Sequence, residues 1–332
     1  MFTLMACGTT GPPEPLWPDR STDVVEARRV ARAGHVPGAA TPTPDGVRIG
    51  FVPRSGKDPL IAAWSGFTRD DDAVGPPALL AATTGDSKGL LVVEGDRSFA
   101  ASPATDELVL RLVSQDWLDC SRATGTAFLQ AASQEDGLVA VAELPVSEKR
   151  RRAVELRRRA GLDAESIATM KTRTFALASA DPFVRASAVH WLRSVGLAST
   201  VSGLTTLEQP PDVVAALSEA RVDYVFHRTA MNATLPGQQV TMRSETFPSP
   251  DLSLSLLVCR AEALATHRRS LTKLLVRWSN DHPAYAPGAV DEERVTALNG
   301  LLFSTGLVRT SRPAVMLVDG ALARDLDKRS PR

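Results

Sequence analysis

The chain has 332 residues, 43% of them hydrophobic, 23% charged and 5% aromatic, and its 38 basic and 38 acidic side chains cancel. Length and apolar content suit one or two globular domains with real cores. The neutral balance argues against a nucleic-acid or membrane-surface binder, either of which normally shows a basic field. The low aromatic content argues against a stacking platform for single strands, and no run approaches the ~20 apolar residues that span a bilayer.

Residues 1–46 read as leader, tether and linker: a Gly/Thr/Pro-rich stretch over 8–18, a short Arg-rich helix candidate over 24–33, and a Pro/Gly/Thr-rich boundary over 35–46. A first strand is expected over 47–52 (VRIGFV), followed by a loop carrying Arg54, Ser55 and Lys57, and a helix over 60–67. After an acidic turn at Asp70, Asp71 and Asp72, a small apolar helix is expected before residue 88. Residues 89–93 form the second expected strand, with Asp96-Arg97-Ser98-Phe99 as the loop at its carboxyl end. A helix over 103–118 has Asp106 and Glu107 in its first turn, where acidic groups suit the helix dipole. A strand over 119–124 ends at Thr124-Gly125-Thr126, a short helix occupies 128–132, and a fourth strand 138–144.

Residues 145–162 carry two basic clusters, Lys149 to Arg152 and Arg157 to Arg159, with Val154 between them, and read as a solvated surface helix. From Arg173 to Arg228 three apolar runs alternate with two helical patterns, a βαβαβ unit that implies a parallel sheet. Its strands are expected near 175–178, over 199–207 and over 222–228. Pro182 suits a first helical turn, and Val184, Ala188, Trp191, Leu192 and Val195 share one helical face. A further strand is expected over 238–243, and the apolar run 252–258 reads as a strand buried on both faces that returns to the first sheet. Helices fill most of the remainder, with Leu264, Leu271, Leu275 and Trp278 on one stripe.

The alternation predicts an α/β chain of two lobes, 47–145 plus 252–332 and 146–251, each a mainly parallel sheet flanked by helices. In such sheets ligands gather beyond the carboxyl ends of the strands. Arg54, Ser55, Ser98, Thr124, Ser179, Asp181, His227 and Arg228 all follow an expected strand and form the candidate ligand set. Arginines there suit an anionic solute, although a single loop arginine is by default a solvated charge. Ser179 and Asp181 also suit the simpler role of helix cap. His227 and Asp181 would make an acid/base pair if the fold brought them together. Cys120 and Cys259 fall inside expected strands and read as small buried residues; a disulfide between them stays open, since their spacing does not signal one. No His, Cys, Asp or Glu spacing matches a metal site, and no cofactor motif stands out.

The order of strand, Ser-rich turn, helix ending in Gly196-Leu197, strand, Pro210-Pro211-Asp212 helix and Val222-Asp223-Tyr224-Val225-Phe226 resembles the second lobe of periplasmic solute-binding proteins. The nearest group is the nitrate/sulfonate/taurine and thiamine-precursor binders of ABC importers. The resemblance covers about 47–325 and implies a type 2 periplasmic-binding fold that captures a small solute and delivers it to an ABC permease, as a monomer outside the cytoplasm. The family's usual Gly-Glu-Pro after the last of these strands is replaced here by His227-Arg228-Thr229. Leu4-Met5-Ala6-Cys7 resembles a bacterial lipobox, which implies lipidation of Cys7 and a membrane anchor; no basic or strongly apolar leader precedes it, and the alternative reading is a chance match in a disordered cytoplasmic terminus. Some relatives on the same scaffold are enzymes. The desulfinase-like ones need a nucleophilic Cys in a strand-end loop and the pyrimidine synthases a His-rich iron site; this sequence shows neither. A ligand-sensing regulator would need a helix-turn-helix before Val47, where the sequence is short and Pro-rich.

Overall fold

The structure, a computed structural model, describes residues 49–51, 79–83, 89–94, 97–100, 106–114, 118–145, 153–162, 167–179, 181–207, 210–228, 235–239, 247–281, 283 and 286–322. Strands β1 (Ile49–Phe51), β2 (Leu79–Thr83), β3 (Gly89–Glu94) and β4 (Arg97–Ala100) come first. Helix α1 (Asp106–Ser114), β5 (Cys120–Thr124), α2 (Gly125–Ala132) and β6 (Leu138–Glu143) follow. The chain then crosses to a second sheet through β7 (Val154–Arg158), α3 (Ile167–Met170), β8 (Phe175–Leu177), α4 (Pro182–Ser194), β9 (Thr205–Thr206), α5 (Pro210–Ser218), β10 (Tyr224–Arg228) and β11 (Gln238–Gln239). Strand β12 (Ser255–Arg260) returns to the first sheet, and α6 (Ala261–Asp281), α7 (Glu292–Thr305) and α8 (Ala314–Leu317) follow it.

The two sheets share one plan. The first is ordered β4-β3-β2-β1-β5-β12-β6 and the second β11-β7-β10-β8-β9. In each, three parallel strands (β2-β1-β5 and β9-β8-β10) meet an antiparallel strand, β12 or β7, that the chain enters directly after crossing from the other lobe. A fourth strand, β6 or β11, then lies beyond the inserted one and runs with the parallel set. The parallel strands of the second sheet are linked by α4 and α5, as βαβ crossovers require.

The residues of α4 expected on one face are buried as expected: Val184, Ala188, Trp191 and Leu192 sit in the main core, with Val195 packed against it. Gly196 adopts φ of 80°, the left-handed conformation that glycine tolerates, and the amide of Leu197 donates back to Leu192 O at 2.7 Å. That core continues without a break from the first sheet through Leu298, Leu301 and Leu302 of α7 to Trp191, Phe175 and Phe226 of the second lobe. A smaller core on the opposite face of the second sheet holds Val213, Ala216 and Leu217 of α5 against Val225 and Leu235.

Four sequence expectations are corrected. Residues 79–83, expected as part of a small helix, are β2, enclosed between β1 and β3; a five-residue apolar run suits a strand with neighbours on both sides as well as it suits a helical turn. Residues 97–100, expected as a loop, form β4, a hairpin partner of β3 in which Glu94 opposes Arg97. Only Gly95 and Asp96 connect them in sequence, a pair suited to a two-residue hairpin turn. The basic segment expected as a surface helix contains β7, where Val154 and Leu156 alternate into the core and pairing with β10 and β11 takes up the backbone. Residues 199–207, expected as a strand, are mostly a 3-10 turn (Ala198–Gly203) ahead of the two-residue β9; Ser199, Ser202 and Gly203 are exposed and supply no apolar face to pair. The return strand, expected over 252–258, is buried on both faces but runs as β12 over Ser255–Arg260 after a 3-10 turn at Pro250–Leu252, and it lies between β5 and β6, antiparallel to both, with β5 separating it from β1.

Candidate functional site

Three of the expected residues converge at the carboxyl ends of the parallel strands of the second lobe. Asp181 caps α4: its Oδ1 accepts from the amide of Phe183 at 2.8 Å, and Pro182 occupies the first turn. The Ser179 hydroxyl accepts from the amide of Asp181 at 3.0 Å, fixing the turn between β8 and α4. Arg228, the last residue of β10, reaches Asp181 Oδ2 with Nη2 at 2.6 Å and Nε at 3.1 Å. Its guanidinium lies 4.7 Å from the centre of the Phe183 ring, a cation–π placement. Its Nη1 lies 3.5 Å from the hydroxyl of Ser253, in the segment by which the chain re-enters the first lobe. The ion pair is partly enclosed, with side-chain exposures of 18% for Arg228 and 31% for Asp181.

This cluster is more than a cap. A capping carboxylate needs only the first-turn amides, and Asp181 uses one oxygen for that; the other holds a guanidinium delivered from the neighbouring strand. An arginine held in this way has lost most of its rotamer freedom before any ligand arrives, which lowers the entropic cost of recognising a polar or anionic group.

The matching strand end of the first lobe carries Thr124. Its hydroxyl caps α2 by accepting from Ala127 N at 3.3 Å and from the Thr126 hydroxyl at 3.2 Å, while its own amide donates to Asp106 Oδ2 at 2.9 Å. Gly125 and Thr126, expected to lie between the strand and a helix over 128–132, are instead the opening of α2. The amide of Gly125 donates to Leu254 O at 2.9 Å, and a side-chain carbon there would lie 2.9 Å from both Leu254 Cβ and Leu298 Cδ2. The glycine therefore serves close packing of α2 on Leu254 and α7. Leu254 follows Ser253, so one short segment touches the Thr124 end of one lobe and the Arg228 end of the other.

His227 does not join the cluster. Residues alternate across a strand, so it faces the opposite side of the second sheet from Arg228, and it is fully buried. Its Nδ1 lies 2.9 Å from Arg228 O; a carbonyl only accepts, so Nδ1 carries the proton and donates. Its Nε2 has no partner among the described residues. Burial lowers the imidazole pKa below its ordinary value, reinforced by the charge of Arg157 and opposed by the bond to Arg228 O and the charge of Glu155. The acid/base pairing of His227 with Asp181 is thus corrected: the two lie on different faces. Ser98 is also moved, from a strand-end loop into the edge strand β4. Arg54, Ser55 and Cys7 lie outside the described residues. Phe183 and Ser253 complete the cluster and were absent from the sequence candidates; the start of α4 pointed to the first, while only the fold brings the second within reach.

Cys120 and Cys259 are joined by a disulfide across the β5–β12 pair, so neither offers a thiolate. Among the described residues no group of His, Cys, Asp or Glu is arranged to hold a metal ion, and no helix is long and apolar enough to cross a membrane.

No family model and no curated protein matches the sequence. Solved structures do match. A periplasmic sulfonate-binding protein of an ABC transporter from Methylobacillus flagellatus KT superposes with a TM-score of 0.57 at 15% identity, covering 86% of this chain and 95% of that one. The ligand-binding component of an ABC-type import system from Staphylococcus aureus gives 0.51 at 12% identity, over 86% of this chain and 100% of that one. A Candida albicans protein described as having the generic periplasmic binding protein fold gives 0.50 at 8% identity, over 83% and 96%. Superposition over most of both chains identifies the architecture of this chain, with its two sheets, as the two-lobed periplasmic-binding-protein fold.

Proposed function

We propose that this chain is an extracytoplasmic solute-binding protein, not an enzyme, that captures a small anionic organic molecule between its lobes and delivers it to the permease of an ABC importer. The observation that carries this reading is the Ser179–Asp181–Arg228 cluster at the strand ends of one lobe, with Ser253 of the crossing segment beside it. Thr124 closes the corresponding strand end of the other lobe. Closure of the lobes would stabilise the bound state through contacts made only when both strand ends meet the solute. The sheet membership of the strands supports a division into 47–145 plus 252–332 and 146–251. One of the matched structures is named as the ligand-binding component of an ABC-type import system and another as the periplasmic binding protein of an ABC transporter, which favours the same reading. Arg54 and Ser55 remain candidates for the first lobe's share of the site, Cys7 for the lipid anchor, and a monomer for the working form.

Native mass spectrometry of protein purified without refolding should reveal a co-purified small molecule. A sulfonate or carboxylate identified in this way should raise the melting temperature, and Arg228→Ala with Ser179→Ala should abolish that rise. An unchanged rise in the double variant would remove the cluster from the site.

A further inference from the structure

The two crossings between the lobes leave the first sheet after Glu143 of β6 and return to it through Asp251, just ahead of β12. One side chain holds both. Arg294 Nη1 donates to Glu143 Oε1 at 2.7 Å and Oε2 at 2.9 Å, while its Nε donates to the carbonyl of Asp251 at 2.9 Å and its Nη2 reaches the same oxygen. Arg294 is itself fixed by the start of α7, where Asp291 Oδ1 accepts from the amides of Glu293 and Arg294 at 3.0 and 3.1 Å. The backbone of Glu143 is held in addition by a reciprocal pair of bonds with Gly288, at 2.9 and 2.8 Å. Neither charged side chain is solvent-spread: exposures are 21% for Arg294 and 14% for Glu143.

The other end of α7 touches the second lobe. Arg193, in the last turn of α4, donates to the carbonyl of Ser304, and Leu298, Leu301 and Leu302 share a core with Trp191 and Leu192. Helix α7 therefore grips both crossings with its first turn and rests on the ligand-bearing helix of the far lobe with its last. The far lobe cannot move relative to the near one without rotating the two crossing segments about Arg294 or sliding α4 on α7. A planar guanidinium with donors on two edges suits this task because it keeps two backbone segments at fixed separation while either may turn about it.

We propose that α7 is the fulcrum of lobe movement and that Arg294 is a positioning residue that ties the two crossings together and restricts the spread of lobe orientations in the solute-free protein. This deepens the solute-binding reading and rests on its premise that the lobes move. The test is a spin-label distance measurement between Gln134→Cys and Lys171→Cys, two exposed sites on opposite lobes, in a Cys7→Ser background; Cys120 and Cys259 are joined to each other and do not take label. In full-length protein without solute, Arg294→Ala should widen the distance distribution and shift it to longer values, and Arg294→Lys should do so less. Glu143→Gln, which keeps shape and volume, should widen it as well and serves if Arg294→Ala does not fold. A folded Arg294→Ala or Glu143→Gln protein with the parent distribution overturns the proposal. Because no solute enters the measurement, widening in a protein that proves to carry no solute would sink the transport reading and leave the tie standing, whereas a bound solute with no widening would do the reverse.

Discussion

Alternation along β10 sends His227 and Arg228 to opposite faces of the second sheet, and their chemistry divides accordingly. Arg228 forms an ion pair with Asp181 at the strand end. His227 is enclosed, with Nδ1 committed to a carbonyl, so protonating it would place a new donor at Nε2, where no acceptor lies among the described residues. Burial holds its pKa below the ordinary 6.5 in the folded state. The unfolded chain therefore binds a proton that the folded chain refuses in the window between the folded pKa and 6.5. The stability that the neutral imidazole contributes is complete above that window and is lost as pH falls through it, by up to about 1.4 kcal/mol for each unit by which the two pKa values differ. Denaturant unfolding at about pH 7.5 and about pH 5.5 should show a loss of stability in the parent that is smaller in His227→Leu. Equal pH slopes would mean that the enclosed imidazole is not the group responsible.

The two helices of the βαβαβ unit were legible because their ends are marked as well as their period: Pro182 opens α4, Gly196 stops it, and Pro210 opens α5, whereas the middle strand shrank to the two residues of β9 after a 3-10 turn. β7 was not legible, since Val154 and Leu156 offer only two inward residues in a run of arginines, and one of these, Arg157, becomes tolerable in the interior only after Leu235 and Gly237 present carbonyls to it. Such partners arrive from 78 to 80 residues away and leave no local trace. The site followed the same rule. Asp181 and Ser179 were readable as a helix start, and Arg228 as a strand end, but their convergence depends on β8 and β10 being parallel neighbours in register. Asp223 shows what secures that register. Its carboxylate accepts from Arg159 Nε at 2.9 Å and from the amide and hydroxyl of Thr174, both at 3.1 Å, tying the starts of β8 and β10 to the end of β7. Burial would raise its pKa, but the bonds from Arg159 and Thr174 and the charge of Arg159 outweigh that and lower it below 3.8. The carboxylate thus contributes stability above the ordinary value that disappears as pH falls through the folded one. Asp223→Ala should cost about 1–3 kcal/mol in denaturant unfolding at neutral pH, since three donor groups, Arg159 Nε and the amide and hydroxyl of Thr174, lose their acceptor. A cost below about 0.5 kcal/mol, the usual range of a surface substitution, would show that strand pairing alone fixes the register.

At the scale of the molecule, the lobe that receives the chain twice needs its late strand β12 seated between β5 and β6, strands completed more than a hundred residues earlier. The Cys120–Cys259 bridge spans a sequence separation of 139 and joins directly opposed residues of β5 and β12. The whole of the second lobe lies within that loop. Closing so long a loop removes much of the freedom of the unfolded chain, worth about 3–5 kcal/mol in the chain-entropy description, and it favours the pairing that makes the first lobe continuous. Both cysteines are fully buried, so the bond is shielded from reductant while the sheet is intact. Structural disulfides are characteristic of proteins from oxidising compartments, which agrees with the extracytoplasmic role proposed above. The paired variant Cys120→Ala, Cys259→Ala should therefore lose about 2–5 kcal/mol against the oxidised parent in denaturant unfolding, while unfolding of the parent in the presence of a strong reductant should converge on the variant. Should the parent unfold at the same denaturant concentration with and without reductant, and labelling of the denatured, unreduced chain find free thiols at both positions, the bond would be absent, and the argument for an oxidising compartment would fail with it.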